Sequence, residues 1–336
     1  MKKNYYLILL IVFIPLLTFG QDLHFSQFYS APALLNPSAT GDFNSVHRAF
    51  LQYRDQWRGI VNYQTFAMTY DYRTGIKKKK HNDFLGLGLV FLRDRAGDSR
   101  FDMSQINFGL AYHKELIPDH RFSFGFQGGM RQHAININNL KWGSQYNTIT
   151  YDPTIASGET LMNQTVLVAD FNAGTQWTYV PYKGFEANAG VAVHHLSQPH
   201  VSFFENANKK QYRKLVAHAS SEIEIANTNT TYIPKLLVVT QGPSREIIAG
   251  SLVRYEFNQS SKYTTLKKES AIFLGTFYRF GEALILSTYY DYEGFGLGIS
   301  YDLNISRLAL GGRGALEISL KYIAPFVSKH YGKKPR

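Results

Sequence analysis

Reactive side chains crowd most closely in the stretch "HHLSQPH", which carries His194, His195, Ser197 and His200. A histidine within hydrogen-bond reach of a serine supplies the base and nucleophile of a hydrolase. If the stretch is an extended strand, neighbouring residues point to opposite faces, so at most one of His194 and His195 shares the side of Ser197. The three histidines lack the spacing of a closed metal site, and the chain has no cysteine to complete one or to act as a thiolate nucleophile. "GFGLG", from Gly294 to Gly298, has its glycines at alternate positions of a strand, not at a turn that opens a helix, which argues against a phosphate loop. The run Lys77, Lys78, Lys79 and Lys80 suits a solvated turn, phosphate head groups or an acidic partner. Catalytic, metal and cofactor chemistry therefore have little support, and the sequence points to no enzyme.

What positions these residues is a repeated pattern of about ten residues in which large apolar side chains alternate with small or polar ones. Period-2 alternation makes strands with two unlike faces. In "FGLGISYDL", Phe295, Leu297, Ile299, Tyr301 and Leu303 alternate with Gly296, Gly298, Ser300 and Asp302, and "QTFAMTYDY", "RFSFGFQGG" and "QINFGLAYH" obey the same rule. A soluble sandwich also alternates, but its outer face tends to be charged. Here the small face is Gly, Ala, Ser, Thr and Asn, and Tyr and Trp gather toward strand ends, among them Tyr53, Trp57, Tyr70, Tyr72, Trp177, Tyr179, Tyr290, Tyr292 and Tyr322. That layout predicts an all-β, transmembrane, antiparallel up-and-down barrel with aromatic girdles. About fourteen strands are expected: 47–57, 61–73, 84–94, 103–116, 121–135, 164–181, 184–197, 212–225, 231–240, 245–257, 270–280, 283–292, 295–303 and 314–325. Alternation then aims Arg54, Asp71, Glu186, Glu222, Glu224, Arg254, Glu256, Arg279, Asp291, Asp302, Glu317 and Lys321 into the lumen, where mixed-sign charges pair.

The chain opens "MKKNYYLILLIVFIPLLTFGQ", with Lys2 and Lys3 before an apolar run and small residues after it, the layout of a signal peptide over residues 1–20. The formal net charge of +11 includes ten positive charges in three places: Lys2 and Lys3, Lys77–Lys80, and the tail residues Lys329, Lys333, Lys334 and Arg336. Setting those aside leaves about +1 for everything else, so there is no basic face for nucleic acid. With an even strand count both chain termini of the barrel lie on the periplasmic side, and the Lys77–Lys80 patch and the basic tail, residues 327–336, fall on that side.

"FSQFYSAPALLNPSATG", "YRDQW", "TFAMTYDYR", "LGLGLVFLRDRAGDS", "FGFQGGMRQHAININNLKW", "NAGVAVHHLSQP" and "GISYDLNIS" with "GALEISLKY" resemble, in order, the PorP/SprF family of outer-membrane proteins from the type IX secretion and gliding apparatus of Bacteroidetes. The resemblance implies a barrel over residues 47–326 without enzymatic activity or cofactor. It also implies a role in secretion or surface attachment of particular cargo proteins. The partners so implied are outer-membrane lipid, a secreted cargo protein of the adhesin-like or type IX cargo-domain kind, and other secretion components. An outer-membrane channel or transporter for small solutes is the alternative.

One segment remains. Residues 21–46 are aromatic yet broken by Pro32 and Pro37, so they continue neither as a strand nor as a long helix. They are expected to fold into the lumen or against a partner at its periplasmic mouth, with Phe25, Gln27, Phe28, Tyr29, Leu34, Asn36 and Pro37 making the contacts.

Overall fold

The computed structural model describes residues 22–57, 63–75, 83–97, 101–136, 140–158, 164–203, 210–258, 270–305 and 314–324. The expected signal peptide, the Lys77–Lys80 patch and the basic tail lie outside them. Fourteen strands form a closed antiparallel barrel in which each strand pairs with its neighbours in sequence. They are β1 (His47–Gln56), β2 (Tyr63–Gly75), β3 (Phe84–Ala96), β4 (Phe101–Ile117), β5 (His120–Ala134), β6 (Thr165–Tyr182) and β7 (Phe185–His194). The second half comprises β8 (Lys214–Glu224), β9 (Thr230–Gln241), β10 (Ser244–Asn258), β11 (Ser270–Arg279), β12 (Ala283–Tyr292), β13 (Phe295–Asn304) and β14 (Ala315–Ile323). Closure is made by β1 against β14, with Arg48 opposite Ile323 and Gln56 opposite Ala315. Every strand has a strand partner on each side, as a lipid environment requires, and the outer part of β6, Thr165–Asn172, runs on past the end of β7.

The alternation separates the two faces. Along β13, Phe295, Leu297, Ile299, Tyr301 and Leu303 are 62, 46, 42, 40 and 42 % exposed, whereas Gly296, Gly298, Ser300 and Asp302 between them are buried. His47 and Ile323 lie at one end of the barrel, which in bacterial outer-membrane barrels faces the periplasm and is called here the inner end. Two-residue turns lie there at 118–119, 183–184 and 293–294, while 242–243 and 280–282 are short turns at the opposite end. At the inner end both Glu293 and Gly294 take positive φ (51° and 83°) and join β12 to β13 through the turn type that matches strand twist. Tyr70, Tyr72, Trp177, Tyr179, Tyr290, Tyr292 and Tyr322 sit toward this end on outward-facing positions, as a girdle would. The long connections 135–164 and 195–213 lie at the opposite, outer end.

Residues 22–46 occupy the lumen. From Asp22, beside the outer ends of β5, β7 and β9, the segment runs inward through a short helix α1 (Pro32–Leu35) and a 3-10 turn (Pro37–Ala39), and joins β1 at the inner end. Close approach to the wall depends on glycine. A Cβ at Gly86 would stand 2.0 Å from the Thr40 carbonyl oxygen, and one at Gly125 2.2 Å from the Pro37 carbonyl carbon. The small face of the alternation is thus the bed of the inserted segment.

Candidate functional site: the occupied lumen

Three sets of wall residues hold the segment. Near the outer end Glu317, with no exposure to solvent, accepts the backbone N–H groups of Ser26 and Gln27 at 2.8 Å each. Its oxygens also take bonds from Gln52 (2.6 Å) and Arg54 (3.1 Å). Asp302 receives Arg54 and Arg279 at 2.9 and 3.0 Å. The Ser26 hydroxyl stands at the centre, donating to Asp302 (2.7 Å) while accepting from Arg54 (2.5 Å) and Arg279 (2.9 Å). That uses its one proton and both lone pairs. Gln27 adds a bond from its amide to the Glu317 carbonyl and accepts from the Ser319 hydroxyl. Buried charges of both signs pair here, with one Asp302 oxygen left without a hydrogen-bond partner, and part of their engagement is with the backbone of the inserted segment.

A second cluster captures Asp22. Its carboxylate accepts from His195 (2.5 Å), Gln211 (3.1 Å) and Arg131 (3.4 Å), and its backbone N–H donates to Gln241. The other ring nitrogen of His195 meets Asp170 at 2.9 Å, and Arg131 is held by Gln105. Burial disfavours charge on His195, but the two carboxylates outweigh it and raise its pKa above the usual 6.5. Burial likewise opposes charge on Asp22, yet Arg131 and His195 prevail and hold its carboxyl well below the usual range.

The third set grips the inner half. Asn36 donates to the Thr175 carbonyl at 3.0 Å and caps the 3-10 turn by accepting from Ser38. His113 contacts the Thr40 carbonyl at 2.8 Å, Asp42 pairs with Arg121, and Arg48 bridges Asp71 to the carbonyls of Ala39 and Asp42. Between these polar grips lie two apolar contacts. Phe28 packs among Ile233, Leu237, Ile248, Leu252, Phe277 and Ile285, with Tyr29 stacked on Phe277. Phe25 and Leu34 meet Ala67, Leu92 and Met103.

The residues singled out from sequence fall into separate groups. Arg54, Arg279, Asp302 and Glu317 converge on Ser26 and Gln27. Asp71 joins Arg48, Asp291 pairs with Lys321 at 2.6 Å, and Arg254 bonds Glu256 at 3.1 Å on half-buried wall near the inner end, where Glu186 also points. The lumen also has an apolar wall, formed by Ile233, Leu237, Ile248, Leu252, Phe277 and Ile285, that a reading of inward charges missed. Asp22, Arg131, Asp170 and Arg48 went unnoticed although alternation points the last three inward.

The histidine reading needs correction. His194 and His195 do not face opposite sides, because β7 stops at His194 and His195 takes a left-handed φ of 58°. Both rings therefore enter the lumen, His194 against the Leu35 carbonyl and His195 against Asp22 and Asp170. Ser197 is exposed and bonds the Ala169 carbonyl instead of a histidine. Among the described residues no group of three or more His, Asp or Glu side chains could hold a metal ion.

A family model described as type IX secretion system membrane protein PorP/SprF matches residues 17–322. The chain belongs to the PorP/SprF family. This is a family of secretion-system membrane proteins and not of enzymes, and a closed 14-strand barrel places this member in the outer membrane. No curated protein matches the chain. Among solved structures, a Pseudomonas aeruginosa FadL homologue is similar at a TM-score of 0.50 and 10 % identity, over 88 % of this chain and 94 % of that one. BamA from Haemophilus ducreyi lacking POTRA domains 1–3 is similar at a TM-score of 0.41 and 10 % identity, over 83 % and 70 %. The likeness to the FadL homologue concerns the barrel fold alone. The buried contacts of residues 22–46 give this PorP/SprF member its own occupied lumen.

Proposed function

We propose that this barrel is a plugged adaptor of the type IX machinery. In this reading it supports secretion or surface attachment of particular cargo proteins and docks to other secretion components, and it does not conduct solutes. The observation that carries the reading is the Glu317 carboxylate, which is wholly buried and spends two of its hydrogen bonds on backbone N–H groups of the inserted segment. Removing the segment would leave that charge and its neighbours unpaired in the wall, so the occupied state is the one the wall residues complement. A cavity of about 80 Å³ remains between Phe25, Phe28, Leu34 and the wall. Its volume suits a few water molecules bridging polar groups, not a passing solute. A barrel whose interior is committed to its own chain must meet partners through its mouths and outer surface.

Copurification from native membranes followed by mass spectrometry tests the assignment. Type IX components or a secreted cargo protein should be recovered with the wild-type barrel. A barrel that comes away with no secretion component, and that passes small solutes into liposomes, would be a channel instead.

A further inference from the structure

The outward face of the barrel carries a charged feature that the lumen does not use. Near the outer end of β3, Arg93 and Arg95 point to the lipid side and share one carboxylate on β4. Asp102 accepts from Arg93 through Nε (3.1 Å) and Nη2 (2.6 Å), and from Arg95 through Nε (3.3 Å) and Nη2 (3.1 Å). The Arg93 and Arg95 side chains are 47 and 42 % exposed, against 17 % for that of Asp102. Neither Nη1 makes a hydrogen bond among the described residues, so one carboxylate holds two cations side by side with donors directed away from it.

Their height on the wall is informative. Arg93 stands across from Phe66 on β2 and Ser104 on β4, Arg95 across from Gln64 and Asp102, and Ser104 across from Gln132 on β5. Apart from Phe66, these residues make two adjacent polar outward rows, Gln64 with Arg95 and Asp102, and Arg93 with Ser104 and Gln132. The next outward positions toward the inner end are Met68, Phe91, Ile106 and Met130, followed by Phe108, which is 66 % exposed. The boundary between the apolar band and the polar rim therefore runs just below Arg93. At that boundary the leaflet facing the outer end presents phosphates above acyl chains.

We propose that this patch binds a phosphorylated, multiply acylated glycolipid of the outer leaflet. Arg93 and Arg95 take a phosphate, Gln64, Ser104 and Gln132 face the sugar, and Phe66, Phe91, Ile106 and Phe108 receive acyl chains. Two guanidinium forks matched to one tetrahedral anion are the arrangement in which arginine outperforms lysine. The excess of one positive charge over Asp102 favours an anion, and the clamp removes much of the side-chain entropy otherwise lost on binding. The apolar row beneath discriminates against free phosphate.

The test is native mass spectrometry of the full-length barrel in detergent, titrated with bisphosphorylated lipid A, with the same lipid stripped of its phosphates, and with phosphatidylglycerol. Wild type should retain lipid A. The double variant Arg93→Ala, Arg95→Ala should bind about tenfold or more weakly, from the loss of charge-assisted bonds. Removing the phosphates should weaken wild-type binding by a similar factor. Asp102→Asn separates a built site from bulk charge, because it adds net positive charge while loosening the clamp, and weaker binding is expected. Equal binding by the double variant, tighter binding by Asp102→Asn, or phosphatidylglycerol held as well as lipid A would each overturn the proposal. The substituted side chains lie at the surface, and a faster-running unboiled gel band checks that the barrel has formed. If a variant lacks that band, the comparison of phosphorylated and stripped lipid on wild type decides alone.

Discussion

Glu317 is wholly buried and accepts two backbone N–H groups of the inserted segment. Truncation to alanine leaves two backbone N–H groups, Gln52 and Arg54 without their acceptor in a site closed to water. Breaking a buried pair in this way costs about 3–5 kcal/mol. Glu317→Ala should therefore loosen residues 22–31 while the barrel persists, which limited proteolysis of the folded protein would report as new cleavage within that segment. Unchanged resistance would mean that the apolar contacts of Phe25 and Phe28 suffice. The Asp22 cluster makes a pH-dependent contribution of its own. His195 has a raised pKa when folded, so its contribution is fully present below 6.5 and is lost as pH rises through the raised value. Asp22 has a lowered pKa, so its contribution is present above 3.8 and is lost as pH falls through the lowered value. Both hold in the interval between, with Asp170, Arg131, Lys214 and His194 as the other ionisable groups nearby. Hydrogen exchange of the amides of residues 23–27, corrected for intrinsic rate, should show protection decreasing on the alkaline side, and His195→Phe should remove that dependence.

At the scale of elements, the strands were legible because a lipid face and a packed lumen impose period 2 on every one of them. Ile299 illustrates the consequence, being 42 % exposed in mid-strand on the lipid side. Ile299→Asp should reduce insertion at a cost on the order of 2 kcal/mol, whereas Ser220→Asp, facing inward across from Lys235, should insert nearly as well as wild type. Similar membrane yields for the two would refute the face assignment. Ser300 is a poorer control than alternation alone suggests, because it is buried opposite Glu317. The partners of the lumen charges were not legible. Arg54 and Glu317 are 263 residues apart and meet only because β1 closes on β14. Nor does periodicity reveal that β7 ends at His194, since the reversal depends on one left-handed residue at His195. The inserted segment could be recognised as apolar and proline-broken, but its bed could be found only once Gly86 and Gly125 were brought together by the sheet.

For the whole molecule, the proposed function requires that a closed ladder holding residues 22–46 resist detergent, keep its mouths for partners and leave its lumen shut. The charged and apolar contacts along residues 22–46 act in parallel, from Asp22 at the outer end to Arg48 at the inner, so removing the segment changes the interior far more than the wall. Each strand pairing forms without it, and a barrel lacking residues 22–46 should still assemble. The most direct measurement is single-channel current in a planar bilayer, comparing the purified wild type with that deletion. Wild type should show no stable open current and the deletion a steady one. A steady current through the wild type, equal to that of the deletion, would contradict the plugged barrel.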